Sequence, residues 1–132
     1  MDGSLEQFYR VVNISRSDIV IAQRVAWACS SSQRRRGLLG CRSLGTDEGM
    51  YLVPCEWLHT FGMRFSIDVA FLSADGRVLS VHHGLKPNRL SKIVPRAEGA
   101  LELPEGTLRA TGTEVGDVVH FLNIAAPEPI LS

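Results

Sequence analysis

Net charge is the first thing this sequence lacks. Its 14 Lys and Arg balance 14 Asp and Glu. Neutralising phosphates needs a cationic excess, so the balance argues against a nucleic-acid binder working through a broad basic field. Cysteine is sparse and odd in number: Cys29, Cys41 and Cys55 stand far apart. They form neither a disulfide framework nor a CxxC half-site, and reduced thiols are expected. Long apolar runs are missing as well, none nearing the roughly 18 residues of a membrane span. The opening Met-Asp-Gly-Ser-Leu-Glu-Gln carries neither a basic nor an apolar leader region. A cytoplasmic protein without a membrane segment is expected. Lysine is almost absent, Lys86 and Lys92 being the only two, so most basic groups are planar guanidinium forks.

What is present is an ordinary globular composition. Of 132 residues 45% are hydrophobic and 21% charged, outside the regime of disorder. A chain of this size buries about two-thirds of its unfolded surface, enough for one core without staples. Residues 1–132 are therefore read as a single domain. The terminal Ala-Ala-Pro-Glu-Pro-Ile-Leu-Ser, about 125–132, is expected to fray.

Short strands dominate the pattern. Gln7 to Asn13 and Asp18 to Ala28, rich in Val, Ile and aromatics, flank a Ser-Arg-Ser connection and read as an opening hairpin. Ser30 to Gln33 forms a capping box and Gly40 a stop, predicting one short helix near 31–39. Strands follow at Met50 to Val53, Trp57 to Phe61 and Ile67 to Leu72. Ala74-Asp75-Gly76 turns the last of these into Val78 to His82. Ala100 to Leu103, a helical turn between Glu105 and Ala110, and a final strand Val118 to Asn123 complete the series. The class predicted is mainly β, a β-rich α+β domain of short, mostly antiparallel strands in a barrel-like or sandwich sheet.

A family pattern lies in this order. Arg36-Gly37-Leu38-Leu39, Arg42-Ser43-Leu44, Glu48-Gly49-Met50, Ile67-Asp68-Val69-Ala70-Phe71-Leu72, Asp75-Gly76-Arg77-Val78, Leu101 to Gly106 and Gly116-Asp117-Val118-Val119 follow one another in sequence. Together, from about residue 33 to 121, they resemble the domain of unknown function (DUF) 192 family. The resemblance implies a compact β-rich fold of bacteria and archaea without an established activity. Longer relatives of that kind carry a Trp-Met-Lys-Asn-Thr-type stretch where this chain reads His59 to Ser66, so Trp-Met is replaced by His-Thr.

Three constellations hold chemistry. His59, Arg64 and Asp68 lie within ten residues. On an extended strand Arg64 and Asp68 share a face, which suits either a structural ion pair or a ligand site in which Arg64 binds an anion. Arg35, Arg36 and Arg42, with Arg34, surround the predicted helix and read as a solvated surface or a weak anion patch. His82 and His83 are consecutive and point to opposite faces, so they do not chelate one metal together. No metal, no cofactor and no complete catalytic set is predicted. The function expected is a non-catalytic binding module for a small anionic ligand or peptide near His59, Arg64 and Asp68. One alternative is an enzyme using Asp68 as acid or base with His59 or Arg64. A second is RNA contact through Arg34 to Arg42.

Overall fold

Strict alternation builds the centre of the molecule. In Ile67–Leu72 the side chains of Ile67, Val69 and Phe71 fall on one face, those of Ala70 and Leu72 on the other, and all six residues are buried. A strand buried on both faces must lie inside a covered sheet.

The computed structural model describes residues 7–29 and 44–124. Seven strands run along it: β1 (Phe8–Asn13), β2 (Ile19–Ala28), β3 (Glu48–Leu52), β4 (Ile67–Leu72), β5 (Val78–Leu85), β6 (Gly99–Pro104) and β7 (Val119–Ile124). A 3-10 turn (Ile14–Arg16) links β1 to β2, and a four-residue helix α1 (Thr107–Ala110) follows β6. The strands form one sheet in the order β5-β4-β6-β3-β2-β1-β7. Every pairing is antiparallel except β2 with β3, where Arg24 to Ala28 run beside Glu48 to Leu52.

The sheet is mainly β as expected, curled but not closed. Its two edges meet at one corner, where Arg77 bridges Val118, Val78 N–H donates to the Asp117 carbonyl at 2.8 Å and Val119 N–H to that of Gly76 at 2.9 Å. Gly76 sits at φ 86°, the left-handed turn conformation its place in the β4–β5 hairpin requires. The same corner is latched by Asn13, fully buried, whose amide donates to Asp117 Oδ2 at 3.0 Å and Thr113 Oγ1 at 3.1 Å.

Two apolar clusters follow from the alternation. Val11, Ile21, Val25, Tyr51, Ala70, Leu72, Leu101, Leu103 and Val119 fill the concave side, where Leu108 of α1 joins them. Ile67, Val69, Phe71 and Ala100 face the other way and are roofed by Leu58, Met63, Val94 and Ala97 from two loops. Burying a side chain such as Phe71 completely contributes about 1.5–3 kcal/mol.

Most predicted strands fall within two residues of their observed bounds, but Trp57 to Phe61 does not form one. That stretch is loop, paired only through an isolated bridge between His59 and Leu90. The helix predicted near 31–39 and the tail at 125–132 lie outside the described residues. No described helix is long and apolar enough to cross a membrane.

Candidate functional site

The two loops over the convex face, residues 53–66 and 86–98, are stitched together by their own backbones. Thr60 N–H donates to the Arg89 carbonyl at 2.8 Å, Ser91 N–H to Leu58 at 2.9 Å and Val94 N–H to Glu56 at 2.7 Å. Thr60, fully buried, donates its hydroxyl to the Lys86 carbonyl at 2.6 Å and accepts from Arg89 N–H at 2.9 Å. The Ser91 hydroxyl accepts from Leu58 N–H at 2.9 Å. Loop backbone pinned in this way holds its outward side chains in fixed positions.

Those side chains are apolar and basic at once. Trp57, Phe61, Leu90 and Ile93 are 51%, 49%, 61% and 67% exposed. Around them stand Arg64, Lys86, Arg89, Lys92 and Arg96, all exposed, against only Glu56 and Glu98. The His59 imidazole stacks on Phe61 with ring centres 5.2 Å apart, and its Nδ1 accepts from Phe61 N–H at 3.2 Å. His59 and Arg64 are both exposed on the loop 53–66.

Asp68 does not join them. It lies on β4 with its side chain on the concave side, fully buried. Its Oδ1 accepts from Gly84 N–H at 2.9 Å, and its Oδ2 from Gly106 N–H at 3.1 Å and Leu108 N–H at 2.9 Å. The ion pair with Arg64 read from their spacing is not formed: Arg64 precedes β4 in the exposed loop, so the strand geometry that would align them stops short of it. Among the described residues the ion pairs are those of Arg16 with Glu114 and Asp117. Arg35, Arg36 and Arg42 lie outside the described residues. The Cys55 thiol donates to the Trp57 carbonyl at 3.1 Å. His82 and His83 do diverge, the first against Phe71 with ring centres 6.2 Å apart, the second exposed.

Two polar groups lie in the convex core, Glu102, which sequence reasoning did not single out, and His82. Glu102 is 3% exposed, its Oε1 has no hydrogen-bond partner, and burial pushes its carboxyl up to about 8. His82 Nε2 is likewise buried without a partner. Burial, with Lys92 and His83 nearby, holds that imidazole below its ordinary value. Both residues pair across the sheet with Val69, so they occupy one transverse row. The available signal was a Glu set inside the apolar run Ala100-Leu101-Glu102-Leu103. No three His, Cys, Asp or Glu among the described residues gather to hold a metal.

A small β domain with one curled, mixed seven-stranded sheet, roofed on its convex side by two interlocked loops, is the class these features define. The DUF192 family pattern, described as Uncharacterized ACR, matches residues 12–121, and the chain belongs to that family. No curated protein matches it. The fold is shared with a proposed transcription regulator from Sinorhizobium meliloti 1021, at TM-score 0.73 and 24% identity over 88% of this chain and 93% of that one. It is shared too with a protein of unknown function from Novosphingobium aromaticivorans DSM 12444, at TM-score 0.70 and 21% identity over 86% of this chain and 83% of that one.

Proposed function

We propose that the chain is a binding module whose paired loops dock an anionic partner, best matched by an acidic peptide segment bearing apolar side chains. One observation carries this reading: five exposed Lys and Arg, against two Glu, share loops 53–66 and 86–98 with four exposed apolar side chains. Several large apolar side chains exposed on two hydrogen-bonded loops support an interaction surface there. The cationic rim adds steering and selects the sign of the partner. His59 and Arg64 keep the ligand-contacting roles their spacing suggested, while Asp68 holds the scaffold beneath.

The test is fluorescence anisotropy with a short labelled peptide of Glu, Asp, Leu and Phe. A dissociation constant below about 100 µM is expected. Raising ionic strength from about 0.05 M to about 0.5 M should weaken binding, because exposed charges are screened within a Debye length. Replacing Arg64 and Arg89 together by Glu should cost at least about tenfold. A wild-type chain blind to the peptide, or a double reversal that leaves its affinity unchanged, overturns the reading. Nucleic acid is the second reading, favoured by the description of the Sinorhizobium meliloti neighbour. Tighter binding of a labelled DNA duplex than of the peptide would establish it instead.

A further inference from the structure

On the concave side, where β2, β3 and β4 end, the curl of the sheet leaves a cleft of about 410 Å³. Trp27, Tyr51 and Phe121 form its aromatic lining: Trp27 meets Tyr51 at 5.2 Å and Phe121 at 5.6 Å between ring centres, and Tyr51 meets Phe121 at 4.7 Å. Tyr9 backs Trp27 from behind at 4.9 Å. Asp75 and Glu98 also line it, and no Lys or Arg does.

Three features of this cleft ask for a guest. The Trp27 Nε1–H is buried and donates to nothing, although buried donors are nearly always paired. Both carboxylates stand exposed at its border. The Ser73 hydroxyl donates to Asp75, and that bond, against some desolvation, holds the Asp75 carboxyl below its ordinary value, so it is charged at neutral pH. Burial first, then the nearby Glu98 carboxylate, keeps the Tyr51 phenol protonated far above its usual range. Aromatic rings beside fixed negative charge attract cations, and the weakly hydrated alkylated ammonium group suits such a setting best.

We propose that the cleft binds a small organic cation, an alkylated ammonium that also carries a hydroxyl or carbonyl oxygen. The oxygen accepts from Trp27 Nε1–H once the indole shifts to open that buried atom to the cleft, and the cationic head lies against Phe121 with Glu98 and Asp75 beside it. This site shares Val53 and Glu98 with the ends of the two loops but takes ligands of the opposite charge, so choline and the acidic peptide test the two assignments separately.

Choline is the probe, used with the full chain in calorimetry and in proton–nitrogen correlation spectra. The protein has two tryptophans, and Trp27→Phe assigns their indole resonances. Choline should saturate the site and move the Trp27 indole proton downfield, as a new hydrogen bond requires, while the Trp57 signal stays in place. The uncharged isostere 3,3-dimethyl-1-butanol should bind at least about tenfold more weakly, the loss of a cation–π and carboxylate attraction. Tetramethylammonium, which has the charge but no acceptor, should bind without the downfield shift. Glu98→Gln should weaken choline, and Trp27→Phe should abolish its advantage over tetramethylammonium. No saturation by choline up to about 10 mM, or equal affinity for the uncharged isostere, overturns the proposal.

Discussion

The backbone N–H of Leu108 donates to Oδ2 of Asp68 at 2.9 Å, a bond that reaches across 40 positions of sequence. With Gly106 and Gly84 also donating to the same carboxylate, one side chain of β4 fixes both the start of α1 and the bend at Gly84 in β5. Gly106 offers α1 no side-chain cap of its own. Asp68 supplies from a distance what a neighbouring Ser or Asp supplies in most helices.

That geometry separates Asp68 from Arg64 in a denaturant experiment. Asp68→Asn replaces a buried charged acceptor of three backbone N–H groups by an amide that must turn a donor toward at least one of them. A loss of about 3 kcal/mol is expected, the scale of hydrogen bonds to a charged group. Arg64→Met alters an exposed side chain and should stay within about 0.5 kcal/mol of wild type. Equal, large losses in both variants would show that the pair interacts after all.

Glu102 predicts a pH dependence of opposite sign to that of most carboxylates. Its folded value of about 8 lies above the ordinary Glu value of 4.5, so between those limits the folded chain holds a proton that the unfolded chain has released. Stability from this group is full below about pH 4.5, falls as pH rises toward 8, and then levels off. Glu102→Gln removes the titration. The variant should match wild type near pH 4.5 and exceed it by a few kcal/mol near pH 8, read from urea midpoints across that range. A pH-independent difference would show that Glu102 titrates alike in both states.

Gly99 bears on the shape of the aromatic cleft. A Cβ there would meet the Tyr51 ring and lie 2.7 Å from the Leu52 carbonyl, so the tyrosine stands where it does because residue 99 has no side chain. Gly99→Ala should cost about 1–3 kcal/mol, the usual price of overpacking. It should also change the near-ultraviolet circular dichroism of the ring cluster. An unaltered aromatic spectrum would mean that Tyr51 does not depend on the space at Gly99.

Local chemistry explains how much of the fold was legible. The β4–β5 hairpin could be read because Asp75-Gly76 supplies a turn between two apolar runs, and β4 begins and ends where its alternation does. The parallel pairing of β2 with β3 had no local mark, since nothing in either strand names its neighbour or direction. Trp57 to Phe61 has strand composition, yet Trp57 and Phe61 are exposed on a loop while Leu58 packs inward, and loop-to-loop hydrogen bonds outweigh propensity. At the candidate site, His59 and Arg64 are near in sequence and lie on the same loop. Lys86, Arg89, Lys92 and Arg96 come from a segment beyond β5, and hydrogen bonds at Glu56, Leu58 and Thr60 bring that segment alongside. Asp68 misled because its partners are backbone N–H groups, which no residue pattern displays.

The place of β6 has a consequence for how the chain is made. It lies between β3 and β4, and before it and β7 are made the sheet is two separate pieces, β3-β2-β1 and the β4–β5 hairpin. Residues 99–104 leave the ribosome after all five of those strands, so a nascent chain ending before Gly99 holds both pieces with the flank of each unpaired. Exposed strand flanks invite pairing with other chains, and pairings between distant residues form late. Synthesis must therefore run past Pro104 before the two halves are spliced, and the interval before β6 emerges is when a crowded polysome or a premature stop would do the most harm.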